Sequence, residues 1–263
     1  MKKLLITDLD DTLYSWLRFF IPPFYELIGN ISLITGIDSE IITGEFRKVH
    51  KILSGIENKD SAFLLSSVQN LLKTDKIKKD ALYNALDVFE QSKLKSLKLY
   101  GGVYKTLEDL MKNGIRIVGF TESTVDGGFS RLKACDIDKF FNRVYMSENP
   151  NIENVYSIDN KCTVLKNICK PDPELLKKIC INEGFDTNHA VYAGNSLVKD
   201  ISMANDAGII SVYCNYKEDN SELLDKLYRI SAYPRKGNEI INKNIIPDYE
   251  INDFCELIGI LMK

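Results

Sequence analysis

The chain has 263 residues, 44% of them hydrophobic and 27% charged, with a formal net charge of −3. Such a length and balance suit one large α/β domain, or a core with a smaller companion. The slight negative charge gives no general attraction for nucleic acid or an anionic membrane, and no uncharged apolar run reaches membrane-spanning length.

Met1-Lys2-Lys3 and the apolar run after it do not make a signal peptide, because Asp8 interrupts that run too early. Six cysteines, at 135, 162, 169, 180, 214 and 255, show neither C-x-x-C nor zinc-like spacing to a His. They read as reduced, mostly buried hydrophobes, and a cytoplasmic location is expected.

Leu4-Leu5-Ile6 reads as a buried strand that ends abruptly in Asp8, Asp10 and Asp11. Chemistry in an open α/β sheet sits at the carboxyl ends of strands. Acids this close repel one another and hold raised pKa values unless a cation neutralises them. Carboxylate oxygens with water suit Mg²⁺, and a spare carboxylate can act as nucleophile or acid/base. An acidic turn that merely caps a following helix is the plainer alternative.

From Tyr14 to about Lys95 the pattern is helical, with predicted helices at 24–35, 39–53, 60–72 and 78–94, and with Ser39 and Asp60 as N-caps. A small helical bundle over 15–96 is expected. Residues 1–14 and 97–263 form the expected core, because strand–helix alternation begins near Tyr100. Predicted core elements are a helix over 101–111, strands at 115–120 and 143–146, helices at 124–134, 173–183 and 199–206, strands at 190–193 and 209–213, and a closing helix at 253–262. Residues 147–168 resist assignment, and 216–249 read as a loop-rich tail. Repeated β–α units imply a Rossmann-like parallel sheet with helices on both faces. The helical insert leaves the sheet beside the acidic cluster, so it is placed to cover the site as a lid.

Later strand ends add polar groups. Thr121 follows Gly119-Phe120 ahead of a helix, where a hydroxyl suits a phosphate oxygen or simply a cap. Lys170 in Lys170-Pro171-Asp172-Pro173 has its origin fixed by two prolines. Asp200, within Gly194-Asn195-Ser196-Leu197-Val198-Lys199-Asp200, is placed to cap a helix or ligate a metal. His50 and His189 show no visible catalytic or metal partner.

Taken together, Asp8-x-Asp10-x-Thr12, Thr121, Lys170 and Gly194 through Asp200 resemble, in order and spacing, the motifs of the haloacid dehalogenase superfamily of phosphotransferases. The helical insert resembles that superfamily's cap. The resemblance implies that Asp8 attacks phosphorus and Asp10 serves as acid and then base. It also implies Mg²⁺ held by Asp8, the Asp10 main chain and Asp200, with Thr121 and Lys170 steadying the transferring group. Asn195 stands where the superfamily commonly has Asp, so weaker metal binding with retained activity is expected, Asn195 acting through its oxygen or from behind the direct ligands. Glu122 replaces a more usual small polar residue and is read as pointing to solvent. Asp10 favours phosphate monoester hydrolysis of a small phosphorylated metabolite over dehalogenation, which needs no protonated leaving oxygen. A sugar-phosphate mutase and a non-catalytic phosphate- or metal-binding protein are the alternatives. The aromatics Tyr14, Trp16, Phe19, Phe20, Phe24 and Tyr25 are placed either to stack on substrate or to fill a core.

Overall fold

A computed structural model describes residues 4–53, 55–148, 159–166, 168–216, 220–231 and 245–262. Its first strand, β1 (Leu4–Thr7), is buried along its whole length, as a strand covered on both faces must be. Around it lie β2 (Arg116–Thr124), β3 (Arg143–Ser147), β4 (Cys162–Leu165), β5 (Ala190–Gly194), β6 (Ile210–Cys214) and β7 (Tyr249–Ile251). They form a seven-stranded sheet in the order β4-β3-β2-β1-β5-β6-β7, with every pairing parallel. The order reverses at β1, between β2 and β5. Ligands of open α/β sheets sit at such a switch point, outside the carboxyl ends of the strands.

The helices in chain order are α1 (Trp16–Thr35), α2 (Ser39–Leu53), α3 (Ser66–Thr74), α4 (Lys76–Ser96), α5 (Val103–Lys112), α6 (Ser130–Ala134), α7 (Pro173–Asn182), α8 (Ser202–Ala207), α9 (Ser221–Ile230) and α10 (Leu257–Leu261). The chain divides into two compact units. One comprises Met1–Ser15, Lys98–Glu218 and Ile240–Lys263, and the other Trp16–Leu97 and Asp219–Glu239.

The sheet unit buries Leu4, Ile6, Val118, Phe120 and Tyr192 against Leu176, Ile179, Met203 and Ala204 of α7 and α8. Its irregular places are where the chemistry-bearing residues lie. β2 runs four residues beyond the expected 120, with a register irregularity between Phe120 and Thr124. The expected helix at 124–134 is instead a wide turn over Val125–Phe129 that leads into α6. The predicted helix at 199–206 likewise begins as a wide turn over Leu197–Ile201 before α8.

In the helical unit, α1 begins eight residues earlier than expected and carries Pro22 and Pro23 inside it. An interior proline costs about 3 kcal/mol. Here α1 buries Leu17, Phe19, Phe20, Phe24, Leu27, Ile28 and Ile31 in the unit's core, and fully burying each such side chain returns about 1.5–3 kcal/mol. Tertiary burial therefore overrides the local preference. The cap of α2 is Asp38 rather than Ser39, because its Oδ1 accepts the Glu40 N–H at 2.8 Å. The expected helix at 60–72 is a 3₁₀ segment, Lys59–Leu64, followed by α3, with extended Leu65 between them; the Asp60 side chain lies outside the described residues. Asp75 caps α4 by accepting the Lys78 N–H at 3.1 Å.

The expected core spans all of 97–263, yet α9 lies in the tail read as loop and belongs to the helical unit. Ile230 is buried in that unit's core, and Leu223 and Leu227 pack against it. The His50 ring bonds the Ile230 carbonyl at 2.8 Å through Nδ1. Of the two placements open to Phe19, Phe20 and Phe24, the structure shows the core; Phe24 meets Phe46 edge-on at 4.7 Å. Among the described residues no single helix is long and apolar enough to cross a membrane, and α1 with α2 pass that test only as a pair bent by 117°.

Candidate active site

The loop after β1 is built by its own backbone. Asp8 N–H donates to the Ala193 carbonyl at 2.9 Å, which carries the strand register one residue past β1. The chain then doubles back, with Leu13 N–H donating to Leu9 O at 2.9 Å and Asp11 N–H to Tyr14 O at 2.8 Å. Asp11 has φ 57°, a left-handed conformation that Asp tolerates better than most residues. This turn leaves Asp8 and Asp10 at the carboxyl end of β1, beside the ends of β2 and β5.

Asp8 is 8% exposed. Its Oδ1 accepts from Lys170 Nζ at 2.6 Å and its Oδ2 from Thr12 Oγ1 at 2.9 Å. The same Lys170 ammonium donates to Asp200 Oδ1 at 3.0 Å. Its charge lies 5.1 Å from the centre of the Phe120 ring and 5.6 Å from that of Tyr192. Asp200 is further held by Tyr192 Oη at 2.9 Å and, through Oδ2, by the Ser196 N–H at 3.0 Å. It therefore does not cap the following turn; Ser196 Oγ does, accepting the Lys199 N–H at 3.2 Å. A Cβ on Gly194 would stand 2.5–2.6 Å from the Asp200 carboxylate, so only glycine lets β5 end this close to it.

Two buried carboxylates thus share one buried ammonium, and one positive charge cannot balance both. Burial pushes the Asp8 carboxyl up to about 7; Lys170 opposes this rise, while the Asp200 charge adds to it. Burial alone would depress Lys170, but the Asp200 and Asp8 carboxylates outweigh it and hold the ammonium well above its usual range. The excess negative charge is what a hard cation would relieve. The ligand atoms that the contacts bring together are oxygens: the Asp8 and Asp200 carboxylates and the side-chain oxygen of Asn195. Asn195 Oδ1 meets only a long 3.5 Å approach from Thr12 Oγ1 among the described contacts. No three His, Cys, Asp or Glu side chains form a metal cage among the described residues. Mg²⁺ does not require one, since it binds through one or two carboxylates and keeps several waters. The donor set fits that ion.

Thr121 is buried in the irregular part of β2, and its Oγ1 accepts the Ser123 N–H at 3.0 Å. Ser123 Oγ donates to Asp10 Oδ2 at 2.5 Å, and Arg131 Nη2 reaches the same oxygen at 3.1 Å. The predicted site residues therefore fall into two hydrogen-bonded groups, one joining Asp8, Lys170, Asp200, Thr12 and Asn195 and the other joining Asp10 and Thr121 through Ser123.

Glu122 departs from expectation. It does not point to solvent; Oε1 accepts the Lys170 backbone N–H at 3.0 Å, and Oε2 pairs with Lys199 Nζ at 2.5 Å. The residues that sequence reasoning missed are Ser123, Tyr192 and Arg131. Arg131 had a signal: a charged residue between Gly128-Phe129 and Leu132, all buried, lies on the apolar face of its short helix.

The sequence profile of the haloacid dehalogenase-like hydrolases matches residues 2–208. A glyceraldehyde 3-phosphate phosphatase from Methanopyrus kandleri is 26% identical over 177 residues, covering 67% of this chain and 62% of that protein. The chain thus aligns with less than two thirds of that relative's length. Among solved structures, a 2-haloacid dehalogenase from Pseudomonas syringae pv. Tomato aligns with 100% of this chain and 99% of its own at a TM-score of 0.60 and 16% identity. The HAD-hydrolase YfnB from Bacillus subtilis, solved with magnesium bound, covers the same shares at a TM-score of 0.54 and 17% identity. Both likenesses concern the fold. With a seven-stranded parallel sheet and a profile match over most of its length, the chain belongs to the haloacid dehalogenase-like hydrolases.

Proposed function

We propose that the chain is a Mg²⁺-dependent phosphate monoester hydrolase that works through an aspartyl-phosphate on Asp8. The observation that carries this reading is the pairing of two differently supported carboxylates at one strand end. Asp8 lies against a buried ammonium, while Asp10 is held by a hydroxyl and a guanidinium. In the first half-reaction an Asp8 oxygen bonds to phosphorus, and the bond from phosphorus to the leaving oxygen breaks as Asp10 gives that oxygen a proton. In the second, water attacks phosphorus, its proton passes to Asp10, and the Asp8–phosphate bond breaks to free inorganic phosphate. Lys170 and Thr121 steady the charge of the transferring group.

Asp8, the Asp10 carbonyl and Asp200 would hold Mg²⁺, with Asn195 contributing its side-chain oxygen. When bound, the ion supplies Lewis-acid charge to the phosphoryl oxygens. The acid at Asp10 is what separates this chemistry from dehalogenation, where a departing halide needs no proton. The substrate is a small phosphorylated metabolite, a reading supported by the phosphatase relative from Methanopyrus kandleri. A cytoplasmic location belongs to the same proposal and accords with the free cysteines of the described chain.

The test uses purified protein with p-nitrophenyl phosphate and a panel of sugar phosphates, nucleoside monophosphates and phosphoglycolate, with Mg²⁺ or with EDTA. Turnover that requires the metal and vanishes in Asp8→Asn supports hydrolysis. Phosphate or metal binding without turnover would instead mark a binding protein.

A further inference from the structure

Among the described residues Arg131 is the largest fully buried side chain, 2% exposed. A guanidinium removed from water this completely is destabilising unless its donors are matched. Nη2 donates to Ser123 Oγ at 2.8 Å and to Asp10 Oδ2 at 3.1 Å, and Nε donates to Tyr14 Oη at 3.2 Å. Ser123 has a single hydroxyl proton, which it gives to Asp10 Oδ2, so it accepts from Arg131. The loop after β1, the end of β2 and α6 thus converge on one carboxylate.

Oδ2 receives the Ser123 hydroxyl, and Arg131 Nη2 faces both oxygens, at 3.1 Å from Oδ2 and 3.0 Å from the buried Oδ1. We infer that Arg131 and Ser123 are positioning residues that hold the Asp10 carboxyl in place for proton transfer to the leaving oxygen. This rests on the hydrolase reading. With the Ser123 hydroxyl and the Arg131 guanidinium both set against it, the carboxyl is held from turning about its last bond. Ser123 passes the influence of β2 to Asp10, and Tyr14 fixes the other side of the guanidinium.

A positioning role makes a prediction that a purely structural one does not. Proton delivery matters for a poor leaving group and hardly at all for a good one. The full-length protein with Mg²⁺ is assayed on phenyl phosphate and on 2,4-dinitrophenyl phosphate, esters of similar shape whose phenols differ greatly in acidity. Arg131→Gln should lower kcat/KM about 100-fold on phenyl phosphate, the low end of general acid catalysis, and less than about tenfold on the dinitrophenyl ester. Ser123→Ala should show the same selectivity, about tenfold on the phenyl ester, with the buried guanidinium left in place. Arg131→Lys, which keeps the charge but not the fork, should recover only part of the loss. Equal losses on both esters, or none on phenyl phosphate, overturn the inference. If Arg131→Gln fails to fold by circular dichroism, Ser123→Ala decides by the same ratio. Wild-type turnover that is absent, or that survives Asp8→Asn, removes the hydrolase reading and this inference with it. Asp8-dependent turnover with unselective losses removes only the inference.

Discussion

Replacing Asp8 by Asn should abolish turnover and at the same time stabilise the metal-free protein at neutral and alkaline pH. Asn is close in shape to a protonated carboxyl. Its carbonyl can still accept from Lys170, and its amide can donate to the Thr12 hydroxyl oxygen. What it removes is one of two buried negative charges that face a single ammonium. Moving a carboxyl from 3.8 to about 7 corresponds to roughly 4 kcal/mol between the charged and neutral forms. Because the folded value lies above the unfolded one, this stability is fully present below 3.8 and is lost as pH rises through about 7. Wild type suffers that loss; Asp8→Asn does not. With Lys170 still paired to Asp200, the variant's advantage should approach several kcal/mol near pH 8, fade through the acid range and vanish at about pH 4. Urea unfolding of both proteins in EDTA across that range measures it, and the Tm of the variant should rise by several degrees at the alkaline end. A variant less stable than wild type near pH 8 would show that the Asp8–Lys170 pair is a net stabiliser, and would refute the reading of Asp8 as a strained, charge-excess group.

Glu122→Ala should release the Lys170 backbone and lower kcat/KM on the order of tenfold, since hydrogen bonds to charged groups contribute about 1.5–3 kcal/mol; Lys199→Met, which spares that bond, should stay within about twofold because exposed ion pairs contribute little. Equal effects of the two would contradict the assignment. Asn195→Asp adds a carboxylate to the oxygen set and should lower the Mg²⁺ concentration for half-maximal activity on the order of tenfold; an unchanged metal requirement counts against that role. His50 is depressed chiefly by burial, with its bond to Ile230 opposing. Its contribution to the helical unit's stability is present above the ordinary imidazole value of about 6.5 and is lost as pH falls through the lower folded value. Unfolding followed by the fluorescence of Trp16, the single tryptophan, should show this slope, and His50→Leu should flatten it.

Asp8, Thr121 and Asn195 are readable because each follows a short apolar run that stops. Leu4-Leu5-Ile6 before Asp8, Gly119-Phe120 before Thr121 and Ala190 to Gly194 before Asn195 mark buried strands by composition alone. Their carboxyl ends then follow from the topology of a parallel sheet. What stayed hidden depends on partners far along the chain. Asp10 and Arg131 lie 121 positions apart, and neither residue's spacing announces the other. Glu122 reads as solvent-facing until the Lys170 backbone, 48 positions on, is folded against it. Pro22 and Pro23 lie inside α1, where the local preference against a helix is overridden by burial. α9 carries a helical spacing of Leu223, Leu227 and Ile230, but its place in the helical unit's core comes from a chain return that no local pattern encodes.

The central claim is covalent phosphoryl transfer to Asp8. Wild-type protein mixed with p-nitrophenyl phosphate and Mg²⁺, acid-quenched within the first turnover and mapped by peptide mass, should carry phosphate on the peptide containing Asp8, at a level that falls as substrate is exhausted. Turnover with that peptide unmodified at every quench time, or label on another residue, would contradict the account.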